Sequence, residues 1–112
     1  MVNYDGKRFR PAVTSENGEV DEATIFEYKQ TGNLVTCEYK GTQVIKGHLI
    51  GLVNEEGIID IRYHQVNTKG ELTTGICHST PEQLSNGKLR IHEKWQWTSG
   101  DQSKGESVLE EV

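Results

Sequence analysis

Short β-rich runs alternate with glycine-bearing turns along the chain, and no stretch of helical length keeps an apolar stripe with the helical period of about 3.6 residues. Helix is therefore scarce, and the expected strands cover 7–15, 23–30, 33–40, 43–53, 58–67, 71–79, 88–98 and 106–111. The connections between them carry hairpin chemistry: Asn17-Gly18, Gly32-Asn33, Gly41-Thr42, Asn54 through Gly57, Lys69-Gly70, Asn86-Gly87 and Gly100-Asp101. Such pairs tolerate the positive φ angles that tight turns demand. A helical turn is expected only over 79–84, with Thr80 as N-cap and Pro81 at the first helical position.

Strands joined this closely cannot pair in parallel, because a parallel crossover needs a dozen or more residues. An open antiparallel sheet would leave two edges and a bare apolar face, whereas an up-and-down barrel removes the edges and encloses that face. The expected fold is thus all-β, an antiparallel barrel of about eight strands, with a two-sheet β-sandwich as the alternative. Gly47, Gly51 and Gly75 fall inside strands and are expected to mark the bends of a small barrel.

A chain of 112 residues is one domain's worth, read as a single domain over 1–112. Twelve basic against 17 acidic residues give a net charge of −5, which repels phosphate backbones, so nucleic acid is an unexpected partner. No apolar run reaches the length of a membrane helix and residues 1–5 lack a signal-peptide layout, so a cytoplasmic protein without membrane attachment is expected. Cys37 and Cys77 have no Cys-x-x-Cys spacing and are expected to be buried free thiols. No cofactor is implied, and the oligomeric state is open.

Alternation assigns the inner faces. Phe26 and Tyr28 oppose Glu27 and Lys29; Val35, Cys37 and Tyr39 oppose Thr36, Glu38 and Lys40; Ile59, Ile61, Tyr63 and Gln65 oppose Asp60, Arg62 and His64. In the seventh run Leu89, Ile91, Glu93, Trp95 and Trp97 share one face. Tyr28, Tyr39, Tyr63, Gln65, Glu93, Trp95 and Trp97 would line an interior that mixes ring faces with hydroxyl, amide and carboxyl groups. Rings alternating along a strand are also what an ordinary packed core contains. Glu93 separates the two readings. A carboxylate on an apolar face must be paired, reach water at the barrel mouth, or await a ligand.

Recognised catalytic motifs are absent: there is no Gly-x-Ser-x-Gly elbow, His-Glu-x-x-His helix, P-loop or dinucleotide fingerprint. The four histidines, His48, His64, His78 and His92, fall one on each of four successive runs. Hairpin register brings His48 beside His64 and sets His78 opposite Asp60, so at most two meet and no metal site is expected.

The segments Ile61-Arg62-Tyr63-His64-Gln65-Val66-Asn67, Gly70-Glu71-Leu72, Gly75-Ile76-Cys77 and Trp95-Gln96-Trp97-Thr98-Ser99-Gly100-Asp101, with Tyr4 through Phe9, resemble a family of small bacterial proteins. That family often carries the name N-acetylglutamate synthase in genomes. The name implies acetyl transfer, but enzymes of that activity resemble α/β proteins with a glycine-rich pyrophosphate loop opening a helix, which this chain lacks. By architecture alone the chain is similar to lipocalin, fatty-acid-binding and streptavidin-type barrels. The leading expectation is a non-enzymatic barrel that binds a small molecule, with Glu93 fixing its polar end. Two other classes remain: an enzyme acting on a small acyl or amino-acid substrate, with Glu93 as general acid or base and Tyr63 or His64 assisting, and a protein-interaction module using the strand exteriors.

Overall fold

The structure is a computed structural model that describes residues 2–112. Nine strands form one antiparallel sheet: β1 (Arg8–Thr14), β2 (Phe26–Glu27), β3 (Lys29–Thr31), β4 (Leu34–Tyr39), β5 (Val44–Val53), β6 (Ile59–Asn67), β7 (Leu72–Gln83), β8 (Leu89–Trp97) and β9 (Lys104–Glu111). Their spatial order is β2-β1-β9-β8-β7-β6-β5-β4-β3, so the sheet rolls up until its first and last members are consecutive in sequence. This is an up-and-down, nearly closed barrel rather than a two-sheet sandwich.

Closure explains the ninth strand. The run expected over 23–30 is broken at Tyr28: β2 pairs with β1 through Phe9↔Phe26, and β3 pairs with β4 through Gln30↔Val35. One short segment thus bridges both ends of the sheet. Tyr28 holds the first side, its N–H donating to the Lys7 carbonyl (2.9 Å) and its carbonyl accepting from Gly6 N–H (2.9 Å).

No helical turn forms over 79–84. Instead β7 continues through Thr80 and Pro81, with Pro81 opposite Ile91 of β8. The pairing of β6 with β7 ends at Ile59↔Ser79, so beyond Ser79 the side away from β8 has no ladder that needs a donor. Proline is tolerated at such an edge. At the other hairpins the turn chemistry holds: Gly57 and Gly70 sit at φ 84° and 78° after Asn54 and Asn67, whose side-chain oxygens accept two backbone N–H groups each.

The strand-interior glycines make room for side chains on the neighbouring strand. A Cβ at Gly47 would collide with the Tyr39 ring, at Gly75 with the Tyr63 ring and at Gly105 with the Trp95 indole. Each inward ring lies across a glycine on the next strand. Gly51 makes room in the same way for Ile59 and Ile61.

One end of the barrel is solid. Tyr4, Phe9 and Tyr28 are fully buried there with ring centroids 5.2–6.4 Å apart, and the Tyr4 hydroxyl donates to the Gly57 carbonyl. Val35, Ile59, Ile61, Ile91 and Leu109 continue this core. Burying an aliphatic side chain of this size contributes about 1.5–3 kcal/mol, so the closed end anchors the fold. The outside is less uniformly polar than alternation predicts: Leu34 on β4, Ile50 and Leu52 on β5 and Ile76 on β7 are exposed, with Leu34 directly opposite Leu52.

Candidate functional site

The other half of the barrel is hollow. A cavity of about 60 Å³ lies between β4–β9 and the connection that leads from β1 to β2. Its walls are Phe26, Leu49, Ile61, Tyr63, Trp95 and Trp97, and its polar groups come from Tyr39, Gln65, Cys77, Glu93 and Ser107. Tyr63 and Trp97 meet edge to face at 5.5 Å, and Trp97 meets Trp95 at 5.8 Å. Both tryptophans are 9 % exposed.

Glu93 is placed by register. It pairs with Ser79 on one side and Ser107 on the other, two inward positions small enough to leave its carboxyl group unobstructed. Ser79 Oγ donates to Glu93 Oε2 over a long 3.4 Å, and Cys77 Sγ stands 3.5 Å from Ser79 Oγ. Burial pushes the Glu93 carboxyl up to about 7, against the opposing hydrogen bonds from Ser79 and Cys77. Ser107 Oγ accepts from Trp95 Nε1 at 2.9 Å, which fixes the indole plane. Burial likewise raises both cysteine thiols, Cys37 to about 12, so these free thiols stay protonated and poorly nucleophilic.

A second polar cluster closes the mouth. Tyr39 hydroxyl donates to Gln65 Oε1 (2.7 Å), and Gln65 Nε2 donates to Glu19 Oε1 (2.8 Å). Asn67 Nδ2 (2.7 Å) and Thr73 Oγ1 (3.0 Å) also donate to the Glu19 carboxylate. The neighbouring Asn17 carbonyl accepts from Trp97 Nε1 at 3.0 Å, and Gly18 lies so near Trp95 that a Cβ there would stand 3.2 Å from the indole. The β1–β2 connection is therefore stitched across the mouth by named contacts.

The structure brings Tyr39, Tyr63, Gln65, Glu93, Trp95 and Trp97 to one cavity. Tyr28 also points inward but belongs to the closed end. Its hydroxyl is buried without a hydrogen-bond partner among the described residues, and its proton is held tightly, first by burial and then by the nearby Glu93 charge. His64 is on the outer face against His48, ring centroids 5.1 Å apart, so it cannot assist Glu93 in acid–base work. No group of three or more metal-ligating side chains occurs among the described residues. Sequence reasoning missed Glu19 and Gly18, which lie in a loop without periodicity. It also passed over Ser79 and Ser107, although their inward parity with Cys77 and Leu109 is readable.

Compared with known proteins, the chain matches a family model described as Avidin-like protein over residues 2–112. No curated protein and no solved structure matches it. These comparisons lend no support to the name N-acetylglutamate synthase.

Proposed function

The chain belongs to the avidin-like family, and from that premise we propose that it binds a small organic molecule inside the barrel, against Tyr39, Tyr63, Gln65, Trp95 and Trp97 and in contact with Glu93. One observation carries this reading: the interior is not filled, and the space left free leads to a carboxyl group served only by a long hydrogen bond from Ser79 and by the Cys77 thiol. A barrel evolved only for stability would fill that space with a side chain, since voids and poorly satisfied buried polar groups both cost stability. An apolar pocket with a few convergent polar groups is the usual form of a small-ligand site.

The reading is tested by thermal-shift and tryptophan-fluorescence screening of small amines, amides, alcohols and acids. Both tryptophans of the chain line the cavity, so an occupant must change their emission. The expected result is at least one compound that shifts both signals in the native chain and neither in Leu49→Trp, which fills the cavity. A screen flat across all four classes overturns the proposal.

A further inference from the structure

The charges around the cavity are all of one sign. Glu93 lies at its depth and Glu19 at its mouth, and the lining contains no Lys, Arg or His. The two carboxylates differ in how well they are served. Glu19 accepts from Gln65, Asn67 and Thr73 at 2.7–3.0 Å, whereas Glu93 has Ser79 at 3.4 Å and the Cys77 thiol, a weak donor. A carboxylate offers about four lone-pair directions, so Glu93 retains acceptor capacity toward the cavity. Tyr63, Trp95 and Trp97 add ring faces, which carry partial negative charge and attract cations. An anionic guest would meet like charge at both ends of the cavity. A neutral hydroxyl could fill one lone pair but would leave the half-buried charge uncompensated.

We propose that the occupant is a small protonated amine, its ammonium group donating to Glu93 and its carbon skeleton lying against Tyr63, Trp95 and Trp97; this rests on the binding reading above. The pH dependence of such binding has one source. The groups that face Glu93 from the surrounding elements are Tyr28 beyond β2, Cys37 and Tyr39 on β4, Tyr63 on β6 and Cys77 on β7, and burial raises every one of them. All five stay uncharged near neutral pH, Glu19 is anchored away at the mouth, and Glu93 alone changes charge beside the guest.

The test is calorimetric titration of the full chain with matched probes: n-propylamine, n-propanol and propionate, then benzylamine, benzyl alcohol and benzoate. At about pH 8 the amine of each set is expected to bind about tenfold or more tighter than its alcohol, with the carboxylate weakest. Glu93→Gln should erase the amine's advantage over its matched alcohol. In the native chain, amine affinity should also fall as the pH drops from about 8 to about 5 and the Glu93 carboxyl takes up its proton. An alcohol or carboxylate that binds as tightly as its amine overturns the amine assignment while the binding function stands. Silence of both amines overturns it too, and if the wider four-class screen is also flat, both readings fall together.

Discussion

Glu93 is costly where it stands. Its carboxyl group titrates at about 7 in the folded barrel against an ordinary 4.5, because desolvation outweighs what Ser79 and Cys77 return. With the folded value raised, the folded chain binds more protons than the unfolded chain between these two values. The contribution of Glu93 to stability is then most favourable below about pH 4.5, falls as the pH rises toward 7, and is flat beyond it, the loss amounting to about 3 kcal/mol. Glu93→Gln removes the titration but keeps the shape. Urea unfolding should find the variant about 3 kcal/mol more stable than the native chain near pH 8 and nearly equal to it near pH 4. A stability difference between the native chain and Glu93→Gln that stays constant over that window would show that the carboxyl is not desolvated. Such a cost fits the ligand contact proposed for Glu93 better than a purely structural role.

Among the elements, the β1–β2 connection is the one whose role depends on polar stitching rather than on burial. Glu19 is partly exposed, yet it collects three side-chain donors from β6 and β7, and Asn17 holds Trp97. Glu19→Ala should therefore leave the barrel folded, with a stability loss of about 1–2 kcal/mol. Amide exchange over residues 15–25 should accelerate, and acrylamide should quench Trp97 more readily; unchanged exchange there would mean that Asn17 and Gly18 suffice to seat the loop. None of this was legible in the sequence, because a loop carboxylate has no periodic partner to announce it. What alternation did reveal were the inward positions of β4, β6 and β8, where a period of two survives even across Glu93. It failed at Pro81, where local helix-start chemistry was overridden by pairing with Ile91, and it did not reveal the room that Gly47 and Gly75 make, which depends on which ring the neighbouring strand sets above them. Both points concern cross-strand register, which hairpin turns constrain but a single strand's sequence does not contain.

At the scale of the whole molecule, a mean hydropathy of −0.66 and 33 % hydrophobic residues suit a closed ring better than a sheet with one bare face. Closure lets one narrow interior serve every strand. It also means that the solid end and the hollow end share the same ladders: β9 carries Leu109 at the solid end, flanked by Pro11 and Ile91, and Gly105 under Trp95 near the mouth. Damage at one end must therefore be felt at the other. Leu109 is fully buried, and Leu109→Ala is expected to cost about 2–5 kcal/mol, as large-to-small changes in a packed core do. Because Trp95 and Trp97 report only on the hollow end while far-UV dichroism reports on all nine strands, the two signals test whether the ring unfolds as a unit. Their urea midpoints should coincide in the native chain and should move together in the variant, with the slope of stability against urea unchanged. If the tryptophan transition stays in place while the dichroism transition shifts, the two ends melt separately and the bridge through residues 26–31 does not couple them.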